Sequence, residues 1–453
     1  MKIVFVGAGS FIFTRRLITD LMTYPLLREC TLCLFDIDEE RLSFIREAVQ
    51  KILGAGNYPA RLESTTSREQ ALEGADAVII SILQGGIEVW RKDIEIPKAF
   101  GMDISVGDSM GPSGAFRALR TLPVFLDIAR DIRRLCPEAV VLNYTNPMSM
   151  LTQGLITHGG VKAVGLCHSV QGTSEMLAQW IGARMEEVTF LCAGINHQAW
   201  FLDFKWKGKD ATALIREAIL GDEGKYYREQ VRNEMFLKFG YYVTESSSHN
   251  SEYNPWFRKS QQDIDAWCHN YETDEGYAHR HESVRYADKG WNYGRYANTL
   301  IYYESRENKW RDSIRRQIAA SPDLRRGNEF AAPILNGLFG DGTLFEFNGN
   351  VINHGLIDNL PGKACVEVPI VSSRAGLRPV RVGSLPAPLA VLNGIHAQCQ
   401  SMVVEASMTG NRDLVYQACA LDPLTGASLN LHQIWQMVDR MFEENRDYLP
   451  QFN

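Results

Sequence analysis

The stretch Lys2-Ile3-Val4-Phe5-Val6-Gly7-Ala8-Gly9-Ser10 decides the fold. Its apolar, β-branched run reads as a buried strand, and the glycines that close it lead into an amphipathic run from Phe11 to Met22. Glycines at such a junction let the backbone turn sharply and approach a pyrophosphate held at a helix N-terminus. The third glycine of Gly-x-Gly-x-x-Gly is missing, because position 12 is Ile. A second apolar run, Thr31 to Phe35, closes on Asp36, 27 residues beyond Gly9 and a little later than the usual ~20. A carboxylate there can bind the adenosine ribose hydroxyls and favours NAD over NADP. Gly7, Gly9, Ser10 and Asp36 are therefore the candidate cofactor residues. The bland alternative is a tight turn followed by a solvated Asp.

Outward from that unit the alternation continues. Candidate strands are Ala77 to Ile82, Ala139 to Asn143 and Ala163 to Leu166, and amphipathic stretches run from Glu39 to Ile52, Phe116 to Leu135 and Met148 to Thr157. This predicts an α/β, Rossmann-like, doubly wound parallel sheet. The regularity fails from about Val188. The segment Tyr241 to Asp288 is crowded with Tyr, Trp, His, Ser and Asn and reads as a long functional loop. Beyond it, a strand near Ala364 to Val371 and helices over Leu389 to Ala406, Asp413 to Ala420 and Leu431 to Glu444 predict a second, mixed α+β domain, in a lactate/malate dehydrogenase-like arrangement. The expected division is residues 1–190 and 191–453.

At 453 residues, 45% hydrophobic and 22% charged, the chain has room for a sizeable core. Net charge is -7 and no Lys/Arg run forms a footprint for phosphate backbones, so nucleic acid is not an expected partner. No apolar run reaches the roughly 18 residues of a membrane span, and Met1-Lys2 leads straight into a strand rather than a leader pattern. Nine scattered cysteines fit a reducing, cytoplasmic setting. Cys30 and Cys33 form a lone Cys-x-x-Cys pair, read as two small half-buried residues.

Four polar clusters are expected at strand C-termini: Gly107-Asp108-Ser109-Met110-Gly111-Pro112-Ser113-Gly114, which runs into a helix bearing Arg117 and Arg120; Asn143-Tyr144-Thr145-Asn146-Pro147; Cys167-His168-Ser169-Val170; and Gly194-Ile195-Asn196-His197. Thiolate and imidazole are donors that a first-row divalent metal accepts, and Cys167 and His197 each follow an apolar strand. From spacing alone this is a weak signal, and a buried thiol and a core histidine bonded to a carbonyl remain the open alternative.

These clusters, together with Gly172-Thr173 and Asn353-His354-Gly355-Leu356-Ile357-Asp358-Asn359-Leu360-Pro361, carry a resemblance over nearly the whole chain. It resembles glycoside hydrolase family 4, α-galactosidase group. The four residues from the metal-binding cysteine sort the family's substrate groups, and Cys-His-Ser-Val implies a free rather than a phosphorylated sugar, such as melibiose. The family departs from the two-carboxylate glycosidase scheme. The resemblance implies NAD and a divalent metal, typically Mn2+, in a redox-neutral elimination and addition: hydride from C3 to NAD+, loss of the C2 proton, departure of the aglycone, addition of water, return of the hydride. It further implies Cys167 and His197 as metal ligands, Asn146 on the sugar hydroxyls, Tyr253 as base, and His168 or Asp108 as acid. Ser113, Ser248 and Gly294-Arg295-Tyr296 depart from the pattern, and Arg295 stands at an implied sugar contact. A homodimer or homotetramer is implied as well. The rival readings are the same mechanism on α-glucosides or α-hexuronides, an NAD-dependent 2-hydroxyacid dehydrogenase, and a non-catalytic NAD sensor.

Overall fold

The computed structural model describes residues 1–268, 297–307 and 309–452. Arg295, its neighbours Gly294 and Tyr296, and the later part of the aromatic segment lie outside the described residues.

Strands β1 (Lys2–Val6), β2 (Thr31–Phe35), β3 (Arg61–Thr65), β4 (Ala77–Ile80), β5 (Val140–Asn143) and β6 (Lys162–Gly165) pair in parallel in the order β3-β2-β1-β4-β5-β6. Between them run α1 (Phe11–Met22), α2 (Glu39–Ala55), α3 (Arg68–Leu72), α4 (Gly86–Ala99), α5 (Gly111–Leu135) and α6 (Met148–Gln153), and α7 (Ser169–Trp180) follows β6. Strands covered on both faces are apolar throughout. In β1 the alternation sends Ile3 and Phe5 into one core and Val4 and Val6 into the other. Strand order reverses between β1 and β4, which opens a crevice outside their carboxyl ends.

The second half extends the same sheet with antiparallel strands. A hairpin of β7 (Val188–Ile195) and β8 (Gln198–Trp206) and a pair of β11 (Phe345–Ile352) and β12 (Cys365–Ser373) dominate it, with β9 (Lys209–Asp210), β10 (Tyr242–Val243) and β13 (Gly376–Pro379) short. The joins are narrow: Asn350 pairs with Gly165, and Glu367 with Gly194. Gly165 is required there, since a Cβ would stand 2.5 Å from Met148 Sδ and 3.0 Å from Asn350 Cβ. The helices at Ala387–Thr409, Arg412–Leu421 and Leu431–Asn445 return to pack on α4 and α5, where Val403, Val415 and Met437 share a core with Phe116 and Leu119.

One expectation changes. Up to residue 268 the aromatic segment is not loop: it forms β10 and helices at Ser247–Tyr253 and Gln261–Trp267, capped by Ser246 and Ser260. The first of these helices buries Ser248, His249, Asn250, Ser251 and Glu252, so it carries no apolar period to read. Similarly, β3, α3 and α4 lack a strong pattern; β3 is largely accessible at the sheet edge. Cys30 and Cys33 are buried free thiols, and burial pushes both thiol pKa values up, Cys30 to about 11. No helix among the described residues is long and apolar enough to cross a membrane.

Candidate active site

The crevice between β1 and β4 is built for close backbone approach. Gly7, at φ +84°, could not carry a Cβ, which would stand 2.1 Å from the carbonyl oxygen of Ser81. Gly7 and Ala8 donate to the Phe35 carbonyl, fastening the turn to β2. Asp36 accepts from Gly9 N at 2.7 Å and from Asp38 N at 2.9 Å, which brings the end of β2 against the glycine turn. Ser10 is the N-cap of α1 but makes no side-chain cap bond, and the first turn holds no acid. The N–H groups of that turn therefore meet no acid from their own helix. Gly7, Gly9, Ser10 and Asp36 thus stand together.

Beside the crevice, Cys167 follows β6 and His197 sits in the turn between β7 and β8. Together with Glu245 they place one sulfur, one ring nitrogen and one carboxylate oxygen within 4.8 Å of one another. Glu245 Oε2 lies 3.5 Å from His197 Nε2. The other ring nitrogen, Nδ1, lies 3.3 Å from His249 Nε2, so one imidazole bridges two groups of polar side chains. Burial works against charge here, but His197 pulls the Cys167 thiol down, and Cys167, Glu245 and Asp108 raise His197. Each of the two thus favours the charged form of the other against the pull of burial. Behind them, Glu367 on β12 is fully buried; burial first, and Cys167 next, hold its carboxyl well above the usual range.

Asp108 forms the opposite wall. Its loop does not end a strand as expected: α4 intervenes after β4, and the loop crosses back from α4 to α5. Glu252 replaces the missing strand as its support, accepting from Ser105 N, Val106 N and Gly107 N at 2.7, 2.6 and 3.1 Å. Ser109 Oγ donates to Asp108 Oδ1 at 2.6 Å and Asn146 Nδ2 to Oδ2 at 3.1 Å, while His249 Nε2 lies 3.6 Å from Oδ1. Burial opposes its ionisation, but His249, Arg117 and His197 hold the carboxyl at about 2. Asn146 is set by its turn, where Asn143 Oδ1 accepts from Thr145 N and the 146–147 peptide is cis.

Tyr253 closes the cleft one helical turn after His249. Their rings lie 5.6 Å apart, and the His197 ring is 6.3 Å from Tyr253. The base role implied for it asks for a lowered pKa; within the protein's own groups, burial first, then Asp108, Glu245 and Glu252, raise the phenol well above 10. Ser248, where the resemblance expects Glu, shares a hydrogen bond with Ser105 Oγ at 2.8 Å. Ser113 donates to the Asp93 carbonyl behind the loop. His168, beside Cys167, lies with Nε2 2.5 Å from Glu329 Oε2.

The structure brings together Cys167, His197, Asp108, Asn146 and Tyr253, with His168 on the flank. Sequence reasoning missed Glu245, Glu252, Glu329 and Glu367, and gave His249 no role. A signal for one of them existed: in Glu245-Ser246-Ser247-Ser248-His249 an acid stands directly before Ser246, a residue suited to capping the helix that carries Tyr253.

Fold and cleft define a class: a Rossmann-type enzyme whose nucleotide crevice opens onto a cluster of soft and hard donors. Residues 2–183 match the profile of the family 4 glycosyl hydrolases, and residues 192–425 that of the family 4 glycosyl hydrolase C-terminal domain. The chain belongs to glycosyl hydrolase family 4. It is 36% identical to an α-galactosidase of Rhizobium meliloti (strain 1021), over 100% of this chain and 89% of that protein. It superposes with a TM-score of 0.79 on a 6-phospho-α-glucosidase from gut microorganisms solved with NAD and Mn2+, 19% identical, over 100% of this chain and 99% of that one. The malate dehydrogenase of Plasmodium falciparum shares the fold more distantly, with a TM-score of 0.51 and 12% identity over 92% and 99% of the two chains.

Proposed function

We propose that the protein hydrolyses unphosphorylated α-galactosides by NAD-dependent elimination and addition with a divalent metal. The observation that carries this reading is the full-length relationship to an α-galactosidase, joined to a donor set with no use in direct displacement. Gly7, Gly9, Ser10 and Asp36 would hold NAD, and the bare first turn of α1 fits its pyrophosphate. Cys167 and His197 would hold Mn2+, with Glu245 completing a sulfur, nitrogen and oxygen set that suits a first-row cation. When bound, these groups take and return a hydride and stabilise negative charge on the sugar.

The chain supplies the rest. Asn146, fixed by its bond to Asp108, presents the remainder of its amide to sugar hydroxyls. Tyr253 takes the C2 proton; burial and three carboxylates resist its ionisation, so its role demands a cationic neighbour. A general acid must carry a proton at working pH. Asp108, held at about 2, is a carboxylate there, which favours His168 as the group assisting the aglycone. Arg295 remains the proposed further sugar contact.

We further propose that the chain divides at 190/191, acts in the cytoplasm, where its nine free cysteines stay reduced, and assembles as a homodimer or homotetramer. The test of function is an assay with p-nitrophenyl α-D-galactoside, the α-glucoside and the α-galacturonide, omitting NAD+, Mn2+ and thiol in turn. Cleavage of the galactoside that needs both NAD+ and metal supports the reading. Preference for the glucoside or the uronide transfers the mechanism to that sugar, and activity without NAD+ overturns it.

A further inference from the structure

Residues 320–330 form an irregular strap between the helices Trp310–Ala319 and Ala331–Phe339. Rather than running free over the surface, it is tied along α1, the helix that opens the dinucleotide crevice. Asp20, nearly inaccessible on α1, accepts from Gly327 N at 2.6 Å and from Glu329 N at 3.4 Å. Arg326 Nε donates to Thr23 Oγ1 at 2.7 Å and its guanidinium lies over the Tyr24 ring at 4.0 Å. Arg16 Nη2 donates to Asn328 Oδ1 at 3.1 Å. A Cβ at Gly327 would stand 3.1 Å from both Asp20 oxygens, so the strap backbone sits directly on that carboxylate.

The strap delivers one side chain to the cleft. Glu329 is buried, with side-chain exposure of 1%, yet its Oε2 accepts from His168 Nε2 at 2.5 Å and its Oε1 lies 3.8 Å from Arg16. The His168 side chain is 48% exposed, so contacts of its own would not hold the ring in one orientation. Two contacts do: Glu329 on Nε2, and the Tyr144 ring stacked 6.2 Å away at 29°. Tyr144 is itself fixed, its hydroxyl accepting from Ala331 N, the first residue after the strap, and Phe13 of α1 packing edge-on at 4.6 Å.

We infer that Glu329 is a positioning residue for His168. It fixes the imidazole by taking Nε2–H on its carboxylate and leaves Nδ1 for the substrate; the ring hands a proton from Nδ1 to the leaving oxygen as the imidazolium paired with that carboxylate and is left as the neutral Nε2–H ring, and the strap makes the orientation depend on α1. An orienting carboxylate behind a working imidazole is a general means of fixing tautomer and direction. The inference rests on the proposed reading of His168 as the group that assists the aglycone.

The experiment compares the parent with His168→Ala, Glu329→Ala and the double variant, on p-nitrophenyl and methyl α-D-galactoside, at saturating NAD+ and Mn2+. Methoxide is a poor leaving group that needs assistance and p-nitrophenolate is not. Glu329→Ala is expected to lower kcat on the methyl glycoside by ~10- to 100-fold more than on the nitrophenyl one, with KM and NAD+ affinity little changed. The double variant is expected to be no worse than His168→Ala, because the two act as one unit. Equal loss on both substrates, or additive losses in the double variant, overturns the role of Glu329. If His168→Ala itself loses both substrates equally, the acid assignment falls, while the additivity test still reads the pairing. Should Glu329→Ala fail to bind NAD+ or to show the parent circular dichroism, the isosteric Glu329→Gln is read in its place, with a smaller shift in the same ratio expected.

Discussion

His197 Nε2 and Glu245 Oε2 face each other at 3.5 Å, and both residues hold left-handed backbone, at φ +64° and +71°. Few residues other than glycine adopt that region, at a cost of order 1 kcal/mol each. Each is therefore bent out of its preferred conformation to aim a donor atom at the same point, and Cys167 arrives there from a third segment. Strain concentrated on two donors at one locus is the pattern of a site kept for function rather than for stability.

Metal dependence follows directly. Cys167→Ser should abolish Mn2+-dependent turnover while leaving NAD+ binding intact, and Glu245→Gln should weaken Mn2+ binding by ~10- to 100-fold without displacing NAD+. Calorimetric titration of Mn2+ into the NAD-loaded protein reads both. Retained turnover in Cys167→Ser would remove it from the ligand set, and parent-like affinity in Glu245→Gln would do the same for Glu245.

The dinucleotide turn should be intolerant of a single methyl group. In Gly7→Ala the new carbon meets the Ser81 carbonyl, a backbone atom that cannot swing aside, and φ +84° is already unfavourable for alanine. A loss of roughly 1–3 kcal/mol in stability is expected, together with loss of NAD+ affinity. Fluorescence titration with NADH and thermal denaturation check the two arms. A variant that binds cofactor like the parent would show that the turn is not the pyrophosphate site.

Most of the first half of this fold could be read from sequence because its strands other than the edge strand β3 are buried on both faces and its helices on one. β1, β2 and α1 keep the expected limits, and β4 to β6 shift by one or two residues. The residues around Asp108 and Tyr253 follow another logic. Glu252, His249 and Ser248 lie on one short helix and are all buried; Glu252 and Ser248 are bonded across long stretches of chain to Ser105, Val106 and Gly107, and His249 faces His197 and Asp108. Polar side chains that pair with partners 143 to 147 residues away leave no local period, so the segment reads as loop. Glu329 was hidden for the same reason: nothing in Gly327-Asn328-Glu329 hints at Asp20 or His168.

Deuterium at C2 of the substrate should slow turnover measurably, because Tyr253 must break that bond in the proposed scheme. Tyr253→Phe should suppress turnover and, in the same protein, exchange of the C2 proton with solvent. Exchange is followed by mass spectrometry of recovered product in deuterium oxide. Turnover that is indifferent to C2 deuteration, with no solvent deuterium in the product, would point to direct displacement and away from Tyr253 as base.

Asp422 offers a stability test that leaves the donor cluster untouched. It is buried under the Asp108 loop, where a Cβ on Gly111 would stand 3.5 Å from its Oδ2, and it caps the helix Pro423–Ser428 by accepting from Thr425 N and Oγ1 at 3.0 and 2.7 Å. Burial outweighs those bonds and raises its pKa to about 6. With the folded value above the ordinary 3.8, the folded protein holds the proton more tightly than the unfolded chain. Its contribution is therefore favourable at low pH and is lost as pH rises from about 4 to about 6, after which the buried carboxylate is a constant cost. Asp422→Asn keeps an acceptor for Thr425 and cannot ionise. At pH 8 the variant should be more stable than the parent by on the order of 1–3 kcal/mol, a rise of a few degrees in Tm by scanning calorimetry, and the gap should close by pH 4. A variant no more stable at pH 8, or a gap that persists at pH 4, would mean that the capping bonds and not the burial govern this carboxyl.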